Sequence, residues 1–219
     1  MSSRPVRTVA IDGPAGAGKS TLARALAERL GLERLDTGAM YRSVAWAALE
    51  RDVDPSDPAA VTQLARRLRI DMADDGRVLV DDVDVTTAIR TPAVDASVSA
   101  VAAIPAVRAE MVRRQRAWVD THGGGVVEGR DIGTVVLPDA DVKVYLTAIS
   151  HERARRRATE RGVAELDEVA KAIDHRDLLD SSRPVSPLPD PGSVAADAIV
   201  VDSTGKGAEQ VLAEVLTCL

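Results

Sequence analysis

The chain contains no phenylalanine and no asparagine, has a single cysteine, and is only 2% aromatic over its 219 residues. Without Phe, the core has to be assembled from Val, Leu, Ile and Ala, within a hydrophobic share of 45% that is ordinary for a globular protein. One cysteine, Cys218, excludes an internal disulfide and a four-thiolate zinc site. No apolar run is long enough to span a bilayer, and Met1-Ser-Ser-Arg-Pro lacks the apolar segment of a signal peptide, so the expected compartment is the cytoplasm. Excess positive charge is also missing. The formal net charge is -6, which disfavours a general nucleic-acid binder. Lysine is scarce too, with only Lys19, Lys143, Lys171 and Lys206 among 28 basic residues. The remainder is arginine, whose planar fork suits two-pronged recognition of phosphate.

What is present begins with a buried strand over Arg7 to Ile11, followed by Gly13-Pro14-Ala15-Gly16-Ala17-Gly18-Lys19-Ser20 and then Thr21. This segment satisfies G-x-x-x-x-G-K-[ST] between a strand and a helix, the context a phosphate-binding loop requires. Its glycines let the backbone wrap a phosphate, and the helix N-terminus adds partial positive charge. Lys19 supplies a full charge to the β/γ-phosphates, and the Ser20 hydroxyl is placed for Mg²⁺. A dinucleotide-binding turn is excluded because the third glycine of G-x-G-x-x-G is missing.

Downstream, Leu22, Leu26 and Leu30 predict a helix over Lys19 to Leu30, stopped by Gly31. Further helices are expected from Ala39 to about Arg51, after Asp54-Pro-Ser-Asp-Pro, and from about Pro92 to Asp120. Between Leu68 and Ile89 the pattern alternates, through Ile70, Met72, Val78, Val80, Val83 and Val85, with a turn at Asp74-Asp-Gly. That predicts a small antiparallel sheet inserted into an alternating α/β chain. Strands follow at Val126 to Glu128, Val142 to Leu146 and Ile199 to Val201, with a closing helix from Ala208 to Leu219. The fold class expected is α/β, a parallel P-loop sheet with helices on both faces. It forms a single domain, with an inserted region at about 68–90 and a lid at about 150–183.

The absent asparagine removes the Asn-Lys-x-Asp segment with which a switch GTPase reads guanine, and the length is short for a mechanical ATPase. A small-molecule kinase remains. It needs a second anionic site and a lid that excludes water. The Arg-dense stretch His151-Glu-Arg153-Ala-Arg155-Arg156-Arg157, with Arg161, puts Arg153, Arg156, Arg157 and Arg161 near one helical face and is the candidate lid over the phosphates. Glu128 ends a strand where P-loop enzymes carry an acid near the metal. Trp46 and Trp118 fall on apolar faces and are expected in the core.

Three longer segments then carry a resemblance: Ile11-Asp-Gly-Pro-Ala-Gly-Ala-Gly-Lys, Leu35-Asp-Thr-Gly-Ala-Met-Tyr-Arg42 and Glu128-Gly-Arg-Asp-Ile-Gly-Thr134. With Arg108, Arg113-Arg-Gln-Arg116, the stretch from Arg176 to Pro187 and Asp202-Ser-Thr204, they resemble the bacterial cytidylate kinases along essentially the whole chain. The resemblance implies transfer of the γ-phosphate of ATP, held with Mg²⁺, to CMP or dCMP. It assigns the acceptor phosphate to Arg42, Arg130 and Arg183, the cytosine to Thr37, Arg108 and Asp131, and the ribose to Ser99, Arg176 and Asp180. Lys19, Arg153 and Arg157 would stabilise the transferred group. The chemistry agrees, since a carboxylate such as Asp131 accepts from the cytosine amino group and meets a repelling oxygen in uracil. Leu178 and Leu179 depart from the more charged pattern of some relatives. The expected partners are small molecules, with no nucleic acid and no membrane, and the chain is expected to be a monomer. Two other readings stand beside this one. One is a P-loop kinase with another acceptor, such as UMP or shikimate. The other is a nucleotide- or RNA-binding protein without catalysis.

Overall fold

The computed structural model describes residues 6–73, 75–162, 165–183, 185–190 and 192–219. The chain forms two compact units, one from the residues up to Arg34 together with His122–Leu219, the other from Leu35–Thr121.

The first unit is built on a parallel sheet. Strand β1 (Thr8–Asp12) pairs with β6 (Gly125–Glu128) on one side and with β7 (Val142–Thr147) on the other, and β7 pairs with β8 (Ile199–Asp202). Strand β2 (Arg34–Asp36) starts beside β6, where the Val126 N–H donates to the Glu33 carbonyl at 2.8 Å, and the chain leaves this unit within it. Helix α1 (Lys19–Leu30) has the bounds its leucine spacing predicts, and the N–H of Gly31 closes it onto the Ala27 carbonyl. Leu22 and Leu26 of α1 join Val9, Ile11, Val126, Val144 and Val201 in the core, with Val211 and Val215 of α8 (Ala208–Leu216). A second cluster joins α6 (Ser150–Arg161) to α7 (Leu166–Ser181) through Ala154, Ala158, Val169 and Ile173. No aromatic ring is needed in either cluster.

The second unit holds α2 (Thr37–Glu50), α3 (Pro58–Arg67), α4 (Pro92–Ala103) and most of α5 (Pro105–His122), with an antiparallel sheet β3 (Ile70–Met72), β4 (Val78–Val80) and β5 (Val83–Asp84). The alternating stretch is therefore a three-stranded sheet as its pattern predicts. The expected turn residue Asp74 lies outside the described residues. Val78 and Val80 are buried, whereas Val83 is 55% exposed on the edge strand. Helix α2 starts two residues earlier than expected because the Asp36 carboxylate accepts from the Ala39 N–H at 3.0 Å and caps it. The pattern expected as one helical region from Pro92 divides at Pro105, which cannot continue a helix and opens a new one. Trp46 and Trp118 are half-buried and lie outside the fully buried core, which small aliphatic side chains fill.

Segment Ile132–Val136 is π-helical, a conformation not visible in the sequence pattern. The Val136 N–H donates to the Asp131 carbonyl at 3.2 Å and the Leu137 N–H to the Ile132 carbonyl at 2.7 Å. Such single wide turns recur at functional sites.

Leu26→Ala, in the first unit's core, is expected to lower unfolding free energy by about 2–5 kcal/mol. Asp57→Ala removes an exposed cap that accepts from the Ala59 and Ala60 N–H groups, and is expected to cost about 1 kcal/mol. Chemical denaturation of both variants checks this, and an equal loss in the two would contradict it.

Candidate active site

The loop of residues 13–18 runs from β1 into α1, and its glycines are required by close approach. A Cβ on Gly13 (φ 146°) would stand 2.0 Å from the Leu146 carbonyl oxygen, and one on Gly16 (φ 75°) 2.8 Å from that of Arg153. Gly18 sits as the left-handed cap before α1. Lys19 opens the helix and folds back, its ammonium donating to the Pro14 carbonyl at 2.8 Å. The Ala15 N–H donates to Asp177 Oδ1 at 3.2 Å, and the Ala15 carbonyl accepts from Arg153 Nη1 at 3.0 Å. The Ala17 carbonyl accepts from Ser203 Oγ at 3.0 Å and Arg156 Nη1 at 3.3 Å. Ser20 Oγ donates to Glu128 Oε2 at 2.7 Å, while Glu128 Oε1 accepts from Arg34 Nη1 at 3.1 Å. Thr21 is exposed.

Lys19 retains some surface exposure, but its ammonium end is turned inward. Burial and then the Arg130 charge push its pKa down to about 7, against the opposing pull of Glu128. A polyanion arriving at the loop reverses that balance.

The arginines of α6 divide between two tasks. Arg153 is 8% exposed. Its Nε donates to the Ala148 carbonyl at 3.0 Å, and its Nη1 pairs closely with Asp177 while holding Ala15. Arg156 bridges Glu152 and the Ser203 carbonyl, at 2.9 and 2.6 Å. Arg157 pairs with Glu160 at 2.8 Å and Arg155 with Glu152 at 2.9 Å, along their own helix. Arg153 and Arg156 thus lie against the P-loop backbone, and the Arg161 side chain lies outside the described set.

Within the same unit the structure gathers the expected acceptor-phosphate arginines Arg130 and Arg183 on one residue, Asp180. Arg130 Nε donates to Asp180 Oδ2 at 2.9 Å and its Nη1 to the Gly13 carbonyl at 2.5 Å. Arg183 Nε donates to the Asp180 carbonyl at 3.1 Å, with Nη1 3.9 Å from Oδ1. Burial raises the Asp180 pKa, but Arg130, Arg183 and Arg176 outweigh it and hold this carboxylate below its usual range. Asp131 is buried beside this group in sequence, and Arg176 is half-buried.

The second unit carries the other expected acceptor residues. Thr37 starts α2 and is buried, as are Ser99 on α4 and Arg108 on α5. Arg108 is 3% exposed, and its guanidinium carbon lies 5.8 Å from the centre of the Tyr41 ring. Arg42 Nη2 donates to Asp36 Oδ2 at 2.9 Å, and its buried Nε has no hydrogen-bond partner among the described residues.

Sequence reading missed four participants. Asp177 occupies a P-loop amide, Arg34 occupies Glu128, Asp36 both caps α2 and holds Arg42, and Asp12 accepts from the Ile132 and Gly133 N–H groups. Asp36, Asp12 and Asp177 fall inside the segments that carry the resemblance, which was their available signal. Arg34 had none beyond its charge. No group of three or more His, Cys, Asp or Glu able to hold a metal occurs among the described residues. The adjoining Ser20 hydroxyl and Glu128 carboxylate do fit a hard cation that takes its remaining ligands from phosphate and water.

A family model described as cytidylate kinase matches residues 9–219. The cytidylate kinase of Limosilactobacillus reuteri (strain DSM 20016) is 47% identical over 215 residues, covering 94% of this chain and 92% of that protein. That of Limosilactobacillus fermentum (strain NBRC 3956 / LMG 18251) is 50% identical over 214 residues, with 94% and 92% covered. Among solved structures, a gluconokinase from Sinorhizobium meliloti 1021 superposes with a TM-score of 0.53 at 14% identity, over 98% of this chain and 91% of that one, which speaks to the fold.

The lowered pKa of Lys19 predicts that a triphosphate bound beside its ammonium binds with proton uptake. Phosphate oxygens beside the ammonium raise its pKa, so binding above about pH 7 takes up a proton, and binding well below pH 7 does not. Calorimetry in buffers of different ionisation enthalpy is expected to show uptake approaching one proton at pH 8 and falling toward zero at pH 6. A buffer-independent enthalpy at pH 8 would contradict it.

Proposed function

Since the chain belongs to the cytidylate kinase family, we propose that it transfers the γ-phosphate of ATP to CMP or dCMP, giving ADP and CDP or dCDP. The observation that carries the reading is the pairing of an intact P-loop with Arg130 and Arg183 gathered on Asp180 in the same unit.

ATP is held by the backbone of Gly13, Pro14, Ala15, Gly16, Ala17 and Gly18, with Lys19, Ser20 and Thr21 at the start of α1. In this reading the incoming phosphates replace the protein's own groups, taking the Ala15 amide from Asp177 and the Lys19 ammonium from the Pro14 carbonyl. Ser20 and Glu128 would hold the divalent cation, proposed to be Mg²⁺, after Arg34 leaves the carboxylate. When bound, that ion neutralises charge on the β- and γ-phosphates.

In the first unit Arg130 and Arg183 transfer from Asp180 to the acceptor phosphate, which leaves Asp180 and Arg176 for the ribose. Asp131 accepts from the cytosine amino group. In the second unit Arg42 exchanges Asp36 for phosphate, Thr37 and Arg108 serve the base, and Ser99 the ribose. A CMP phosphate oxygen then attacks the γ-phosphorus in line. One P–O bond forms as the bond to the ADP oxygen breaks, and that oxygen keeps the electron pair. No general base is required, because the attacking oxygen is already anionic. Catalysis is positioning and charge stabilisation. Lys19 supplies the central charge, Arg153 acts from its place against Ala15, and Arg157 acts on release from Glu160. We assign the protein to the cytoplasm, where both nucleotides are dissolved, and propose that it acts as a monomer.

ADP release is to be measured with Mg²⁺-ATP and CMP, dCMP, UMP, AMP, GMP or shikimate. CMP and dCMP are expected to be preferred, and preference for another acceptor would overturn the base assignment. Asp131→Ala is expected to reduce CMP affinity and to cut discrimination against UMP by about tenfold or more. Unchanged discrimination would remove Asp131 from the base site.

A further inference from the structure

Asp12 ends β1 and lies immediately before the P-loop glycine, yet its side chain is not directed at the P-loop motif. It is 7% exposed, and each carboxylate oxygen accepts from a different peptide group. Oδ1 accepts from the Ile132 N–H at 2.7 Å and Oδ2 from the Gly133 N–H at 2.8 Å. These are the first two residues of the π-helical segment, and they directly follow Arg130 and Asp131. The preceding residues are fixed to the same strand end. The Gly129 N–H donates to the Ile11 carbonyl at 2.9 Å, and Arg130 Nη1 donates to the Gly13 carbonyl. Asp131 is therefore flanked on both sides by anchors at residues 11, 12 and 13, and the Asp12 carboxylate supplies two hydrogen bonds on its C-terminal side.

We propose that Asp12 is a positioning residue for acceptor selection: its carboxylate fixes the turn that presents Arg130 and Asp131 by holding the two peptide N–H groups behind them. This rests on the reading that Arg130 and Asp131 contact the acceptor nucleotide. A purely structural role is a poor account of the group. Burial, with a smaller push from Asp131, raises the Asp12 pKa to about 6, and the two peptide N–H groups and Lys19 only partly offset this. An ionised carboxylate at neutral pH is thus a burden on the fold at this place, as functional groups commonly are. Two peptide N–H groups that would otherwise be buried require an acceptor there. A carboxylate meets both with one rigid, planar group, and so sets the direction of the peptide as well as satisfying it. Two linked oxygens at 2.7 and 2.8 Å define where residue 132 begins, and through it the orientation of residue 131.

Asp12→Asn tests this. The amide keeps the size but offers one acceptor, and its NH₂ faces the other peptide N–H. The expected result is a KM for CMP raised about tenfold or more, with CMP-over-UMP preference reduced. The Kd for ATP, read by calorimetry on the same folded protein, is expected to change much less. Equal loss of ATP and CMP affinity, or an unchanged KM and preference in a folded variant, would overturn the proposal. Asp12→Ser gives the same comparison if the Asn variant does not fold. Should neither fold, hydrogen exchange at Ile132 and Gly133 in the wild-type enzyme decides: CMP is expected to slow both amides, and no response overturns the proposal. Asp131→Ala is run in parallel. If it leaves the preference intact, the base-site reading fails and the role of Asp12 falls with it. If it blurs the preference while Asp12→Asn does not, only the Asp12 proposal is lost.

Discussion

The closeness of the turn after β1 to strand β7 is the constraint on which the site depends. The Gly13 Cα lies so near the Leu146 carbonyl that no side chain can be accommodated between them. That contact turns the chain directly from a buried parallel strand into the phosphate loop. It also leaves three successive groups at the strand end available for other work. The Ile11 carbonyl takes the Gly129 amide, the Asp12 carboxylate takes the Ile132 and Gly133 amides, and the Gly13 carbonyl takes Arg130. The phosphate loop and the turn carrying Arg130 and Asp131 are thus fixed to one short piece of backbone.

A second regularity is that groups suited to phosphate are already occupied by the protein's own atoms. Lys19 is on a carbonyl, the Ala15 amide on Asp177, Arg130 and Arg183 on Asp180, and Arg42 on Asp36. A half-buried cation left without a partner would be costly. Internal carboxylates and carbonyls remove that cost while the site is free, and they leave geometries that a phosphate can take over. In the proposed reading, the net affinity for a nucleotide is a difference between two sets of charged hydrogen bonds.

The parallel sheet apart from its short strand β2, the P-loop, the inserted antiparallel sheet and the bounds of α1 were legible, because each rests on local periodicity or on a motif a few residues long. The parts that escaped depend on long-range encounters. A stripe of arginines on α6 does not say what it faces, and the structure sets Arg153 and Arg156 on loop carbonyls far away in sequence. The π-helical segment has too short a pattern to register, and it depends on Asp12 from 120 positions away. Trp46 and Trp118 were misjudged because bulk and apolarity were read as burial, whereas this core is filled mainly by Val, Leu, Ile and Ala. Within the candidate site, residue types could be named from the sequence, Asp180 among them, but the internal pairings that hold the cations could not.

The central claim is that turnover depends on charge placed at the P-loop by Lys19, with acceptor recognition residing elsewhere. Single-turnover phosphorylation of CMP by Lys19→Met, with CMP binding measured separately by calorimetry, tests it most directly. The account predicts a rate lower by about a hundredfold or more with CMP affinity largely retained. A single-turnover rate near that of the wild type would contradict it.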